Sequence, residues 1–238
     1  METRLRLVLR DQQLRLALKA LIFGGGLALV KIGSLGLLPI LFFLGIALFL
    51  YTSPLFNSFN QSYNLLILIA ISLLAAGKTL DSGYFLLIWL GAVFLFYLIL
   101  GIKDLILINR SFWQSFLNFS LFYASAVLFF YSDLSKFFLL DFFGLFLAAL
   151  VLIRNLYARK ILVALLAAFI ISEITWLAAL LPLGPINAAS LVFLTYFTLT
   201  SLIARQADQS LNKRLILRYL TVFVILLVII FGTTKWGI

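Results

Sequence analysis

The sequence predicts an all-α protein, a polytopic bundle of transmembrane helices with a basic amphipathic N-terminal segment. Three observations carry this. Hydrophobic residues make up 65% of the 238 residues and charged residues 11%, with a mean hydropathy of +1.20. A soluble domain runs at about 45–50% apolar and about 25% charged, so most of this apolar surface faces lipid. The apolar residues also fall in continuous runs of the length a membrane helix needs, about 20 residues. They do not alternate with period two, as the strands of an outer-membrane barrel do.

Residues 1–19 come first. Arg4, Arg6, Arg10, Arg15 and Lys19 are interleaved with Leu5, Leu7, Val8, Leu9, Leu14, Leu16 and Leu18. On a helix this makes a basic segment suited to the headgroup layer of an anionic leaflet. A cleaved signal peptide would have a shorter basic region and a small-residue cleavage site. Residues 20–238 read as a single transmembrane domain. The run 20–33 has 14 residues, about 21 Å of helix, and crosses a core of about 30 Å only if the preceding turn joins it. Eight further runs come close to spanning length: 35–51, 62–77, 83–102, 112–131, 137–153, 161–181, 186–204 and 215–231. The expectation is about nine spans, or eight if 20–33 does not cross.

The connectors are short: Thr52-Ser53-Pro54, Lys78 to Gly83, Ser132 to Lys136, and Pro182-Leu183-Gly184-Pro185. They leave no room for a separate soluble domain. The inner loops begin near Thr52, Lys103, Arg154 and Arg205 at equal spacing. Two spans and two short loops produce that spacing without any true repeat.

Charge decides between the span counts, because Lys and Arg of short loops stay on the cytoplasmic side. With nine spans and the N-terminus inside, the inner segments hold Arg4, Arg6, Arg10, Arg15, Lys19, Lys103, Arg110, Arg154, Arg159, Lys160, Arg205, Lys213, Arg214 and Arg218. Lys31, Lys78, Lys136 and Lys235 remain outside. With eight spans the basic loops 103–110, 154–160 and 205–214 all move outside, which the rule disfavours. The formal net charge of +10 then faces the cytoplasm. Anionic lipid is a sufficient partner for it, and nucleic acid is not needed.

There are no cysteines and no histidines. Disulfides, thiol nucleophiles, Cys or His zinc sites, Ser-His-Asp catalysis and histidine proton relays are therefore excluded. No carboxylate cluster, GxGxxG or Walker loop appears, and no cofactor or metal is expected. Gly24-Gly25-Gly26 lies inside an apolar run, not in a phosphate loop after a strand.

Glu173 is the most informative residue, near the middle of span 161–181. An acidic group at that depth costs on the order of 3 kcal/mol, so it is expected to face the bundle interior. There it would serve as an ion, proton or substrate site, or as a hydrogen-bonded packing residue. Asp141 sits one turn inside its span near the outer interface, and would line an outward-facing cavity with Glu173 if the two helices touch. Polar stripes follow helical spacing in two spans. One holds Ser111, Gln114, Ser115, Asn118 and Ser125, and the other Asn187, Ser190, Thr198 and Ser201. Each would either pack helices or line a hydrated path. The substrate- or ion-binding candidates are thus Glu173, Asp141, Asn118, Gln114 and Thr198. The membrane-surface candidates are Arg4, Arg6, Arg10, Arg15 and Lys19.

Three functions stay open. The first is a non-catalytic membrane subunit or assembly factor that works by packing against other membrane proteins or copies of itself. The second is a small-solute, ion or lipid transporter with a site around Glu173. The third is an enzyme acting on lipid-linked substrates, which would have to use carboxylates, Lys, Arg and hydroxyls only. The expected setting is a prokaryotic plasma membrane, N-terminus inside and C-terminus outside. A fusion at Ile238 to a phosphatase that folds only outside the cytoplasm is expected to be active. Activity of a cytoplasm-only reporter at the same site would reverse the topology.

Overall fold

The computed structural model describes the backbone of residues 2–33, 36–53, 62–77, 82–104, 109–131, 138–156, 161–207, 209 and 212–234. It describes their side chains apart from those of 2–11, 82–84, 138–140 and 155–156. The described residues form nine helices and no strand: α1 (Glu2–Ile32), α2 (Leu37–Thr52), α3 (Ser62–Gly77), α4 (Ser82–Lys103), α5 (Arg110–Phe130), α6 (Phe138–Leu156), α7 (Ile161–Leu180), α8 (Pro185–Ala207) and α9 (Lys213–Thr233). They follow the apolar runs closely. The connectors at Pro54, Lys78 to Asp81 and Ser132 to Lys136 lie outside the described residues.

Helix ends follow local chemistry. Pro185 opens α8 at the first helical position, where its missing N–H costs no bond. The Gly184 carbonyl accepts from Ala188 at 3.0 Å. Between α1 and α2 the chain turns on Gly33 and Gly36, whose N–H groups bond to Leu29 and Gly33 carbonyls at 2.8 and 3.0 Å. A Cβ on Gly33 would lie 2.6 Å from Pro39 Cγ, so the turn has no room for a side chain there. Asn109 precedes α5 with φ 65°, a conformation asparagine tolerates better than most residues.

The helices divide into two compact units, residues 1–121 and 122–238, with the division inside α5. In the first unit α1 is central and packs on α2, α3 and α4. It is unbroken between Lys19 and Ala20. Its buried residues Leu16, Ala20, Phe23, Leu27 and Val30 recur at alternate spacings of four and three, which keeps one seam against its neighbours. Phe23 stacks on Phe96 of α4 (4.2 Å, 5°) and meets Phe43 of α2 at 5.1 Å.

The glycine run explains how α1 approaches two helices at once. A Cβ on Gly24 would stand 2.5 Å from Val93 and 3.0 Å from Trp89 on α4. One on Gly26 would stand 3.2 Å from Phe43 on α2, and Gly25 faces open space. The close approach lets Trp89 Nε1 donate to the Gly24 carbonyl at 2.7 Å.

In the second unit the helices pack in chain order, α6 on α7, α7 on α8 and α8 on α9. Residues 122–130 of α5 join them through rings. Phe122 stacks on Tyr196 of α8 at 3.9 Å and Phe129 meets Phe142 of α6 at 6.4 Å. The buried face of α7 is mostly small: Ala164, Ala167, Ala168, Ile171, Ser172, Thr175 and Ala178. Small residues let membrane helices come close enough for dispersion contacts to hold them. No residue of α9 is buried.

Gly24→Leu is expected to lower thermal stability in detergent by about 1–3 kcal/mol through overpacking, whereas Gly25→Leu should leave it unchanged. Equal melting of the two variants would show that α1 does not approach α4 this closely.

Candidate functional site

The polar groups inside the apolar helices are of three kinds. Lysines that reach neighbouring helix ends form the first. Lys19 of α1 donates to the Ser53 carbonyl, and Lys103 of α4 donates to the Tyr51 carbonyl. Both acceptors sit at the C-terminal end of α2. Lys31 of α1 donates to Ala76 O, in the last turn of α3, at 3.3 Å. Lys103 Nζ also lies 4.6 Å from the Tyr51 ring centre, and Lys31 Nζ 5.3 Å from that of Phe85.

A helix leaves its last four carbonyls without an internal partner, and a C-terminal end favours cations. The α2 and α3 helices have 16 residues each, about 24 Å, which is shorter than a hydrocarbon core of about 30 Å. Their ends therefore need donors from the longer helices beside them. The same bonds put Lys19 level with the ends of α2 and α4, and Lys31 level with the end of α3. So α1 and α3 run one way, and α2 and α4 the other.

The second kind is buried amides and hydroxyls. Asn64 and Ser72 of α3 and Asn118 of α5 are fully buried, and their side-chain polar atoms have no hydrogen-bond partner among the described residues. Gln114, one turn before Asn118, is half-buried. The hydroxyls of α8 behave differently. Ser190, Thr195, Thr198 and Thr200 each donate to a carbonyl of their own helix, at 2.8, 3.1, 2.8 and 2.8 Å. This back-bonding satisfies them without a neighbour. Asn187 instead donates to Thr234 Oγ1 at 3.2 Å, just beyond α9.

The carboxylates are the third kind. Asp141 is half-buried in the first turn of α6, where the helix dipole favours an anion. Its helix does pack on α7, and Phe142 meets Trp176 edge-on at 6.1 Å. Glu173 differs from the sequence expectation. It lies on the exposed face of α7, with Leu166, Phe169 and Trp176 around it, and does not point into the bundle. The physical reason is the alanine face opposite, which makes the closer helix contact and turns the bulky residues, with Glu173 among them, outward.

The sequence-predicted residues thus separate by unit. Gln114, Asn118 and the basic residues belong to the first, and Asp141, Glu173 and Thr198 to the second. Arg15 is exposed and Lys19 half-buried, while the side chains of Arg4, Arg6 and Arg10 lie outside the described residues. Sequence reasoning missed the roles of Lys103 and Asn64. An amide inside the run 62–77 was the signal for Asn64. For Lys103 there was none, because its acceptor is a backbone carbonyl 52 residues away. Among the described residues no three carboxylates come together as a metal site.

Five of the described helices are long and apolar enough to cross a membrane, and α2 and α3 are shorter apolar helices. These are the helices of a membrane-embedded protein. Comparison of the chain with known protein families, with curated proteins and with solved structures finds no match.

Replacing an unpaired buried amide by an apolar group of similar size removes a desolvation penalty of about 1–3 kcal/mol. Asn64→Leu and Asn118→Leu are therefore expected to raise the melting temperature in detergent. A lowered value would mean that the amide bonds a polar group in the working protein.

Proposed function

We propose that this chain is a non-catalytic subunit or assembly factor of a prokaryotic plasma membrane, whose work is done by helix packing with partner membrane proteins or copies of itself. One observation carries the reading. Glu173 stands near the middle of α7 on an exposed apolar face. Hydrocarbon offers a carboxyl group no hydrogen-bond partner, and charged or polar groups at that depth nearly always face protein or water. A protein surface over the outer face of α7 supplies what the lipid cannot. A transport path around Glu173 would need the carboxyl on an inward face, which this geometry does not favour.

The topology proposed with it is nine spans, N-terminus inside and C-terminus outside. The levels of Lys19 and Lys31 against the ends of α2, α4 and α3 support counting α1 as a span. The basic start of α1, with Arg15 exposed, would rest on anionic lipid at the cytoplasmic face.

Purification in a lipid-retaining medium followed by native mass spectrometry tests the reading. The wild-type chain is expected to carry a stoichiometric polypeptide companion. Glu173→Lys should lose that companion while the chain still accumulates. A lone chain with a bound small molecule would move the assignment to transport.

A further inference from the structure

We propose that the first unit holds the bilayer locally thin, with a hydrocarbon layer of about 18–24 Å around α1, α2 and α3 whose two surfaces are set by lysine ammoniums. The inference goes beyond the partner-binding reading and rests on α1 counted as a span.

Two lengths measure the layer. Lys19 is bonded at the end of α2 and Lys31 in the last turn of α3, so they mark the levels at which two oppositely running helices stop. Twelve residues separate them on unbroken α1, about 18 Å at 1.5 Å rise per residue. Every Cα–Cβ bond of a helix tilts toward its start, so the two stems leave α1 in the same sense. Helix α2 has 16 residues and runs from the Gly33–Gly36 turn to the Lys19 level, about 24 Å. Helix α3 has the same length. Both values fall short of an ordinary core of about 30 Å, and any tilt shortens them further. By contrast α7, α8 and α9 have 20, 23 and 21 residues, about 30–35 Å, which an ordinary core accommodates.

The ends of α2 and α3 cannot simply be left in hydrocarbon. Bonding a carbonyl satisfies the backbone but leaves the lysine its charge. A charge inside a membrane is accommodated by snorkelling, by local thinning or by a water defect. Snorkelling needs a free stem, whereas the Lys19, Lys103 and Lys31 ammoniums are each bonded to a neighbouring helix. Lys31 also lies over the Phe85 ring. With the charges fixed to the protein, the water layer comes to them. Between the two levels the exposed large residues are apolar, as with Leu21 and Leu29 on α1, Leu41 and Phe49 on α2, and Leu66 and Leu74 on α3. The lipid that covers this short wall has short or compressed acyl chains.

The absence of native cysteine lets a single nitroxide report depth. The full chain carrying Leu21→Cys, Gly25→Cys or Leu29→Cys is labelled and returned to dioleoylphosphatidylcholine vesicles. Accessibility to a water-soluble nickel relaxant is then compared with accessibility to oxygen. All three positions are exposed, and nothing stands within 4 Å of a Cβ at Gly25. Leu21 and Leu29 each lie four residues from Gly25, about 6 Å along the axis. In an undisturbed core of about 30 Å centred there, they stand about 9 Å below the surface; in a layer of about 18 Å, they stand about 3 Å below it. The nickel-to-oxygen ratio is expected to be several-fold higher at Leu21 and Leu29 than at Gly25. It should stay so in dierucoylphosphatidylcholine, whose chains are longer. Adding Lys31→Leu should bring the ratio at Leu29 down toward that at Gly25 and leave Leu21 as it was, whereas Lys31→Arg should keep both. Equally low ratios at all three positions, a collapse in the longer lipid, or a ratio at Leu29 indifferent to Lys31→Leu overturns the proposal and leaves α1 as a span. A ratio at Gly25 as high as at its neighbours overturns the thin layer and the nine-span topology together.

Discussion

Inside hydrocarbon a helix gains nothing by hiding leucine, because the lipid tails are as apolar as the leucine itself. What holds these helices together is close approach, and close approach needs small side chains where two backbones meet. Gly24 and Gly26 do this for α1, and the alanine face does it for α7. In α7 most of the bulky residues are left to turn outward, whereas α1 also buries Phe23 and Leu27 beside its glycines. Much of the architecture follows from where the small residues sit. The buried seam of α1 extends back to Leu16.

The second demand of the medium falls on helix ends. Along a helix every backbone group is satisfied internally, but the last carbonyls are not, and a short helix ends before it reaches water. The lysines of α1 and α4 meet this at α2 and α3. A lysine stem lies along apolar surface at small cost while its ammonium finds an acceptor. Positive charges near span ends are commonly explained by the headgroups they reach. Here Lys19, Lys31 and Lys103 serve the protein's own backbone instead, and bind neighbouring helices together while doing so.

The helix boundaries were legible because apolar runs are long and their punctuation is strong. Pro185 and the Gly33–Gly36 turn stop and start helices by local sterics, which a sequence displays. The direction of Glu173 was not legible from its depth in the span. A helix that is apolar all round has no polar face to point outward. The usable cue was volume, alanine on one side and leucine with phenylalanine on the other. The α8 stripe of Ser190 and Thr198 fitted helix packing or a hydrated path equally by spacing, and its hydroxyls bond their own helix. Hydroxyl spacing shows which face they share, not where the proton goes. The capping lysines depend on pairings tens of residues apart, which a single chain does not reveal.

The loose seating of α9 has a mechanical consequence. The helix contributes no buried side chain, packs on α8 through half-exposed residues, and is tied at its far end by the Asn187–Thr234 hydrogen bond. A change in bilayer thickness is answered by tilt wherever packing allows it. For α9 that tilt pivots about Thr234 and uncovers no buried side chain of the helix. The row of α6, α7 and α8, locked through its alanines, must make the surrounding lipid stretch or thin instead. One chain therefore meets the same membrane with a stiff wall and a compliant edge.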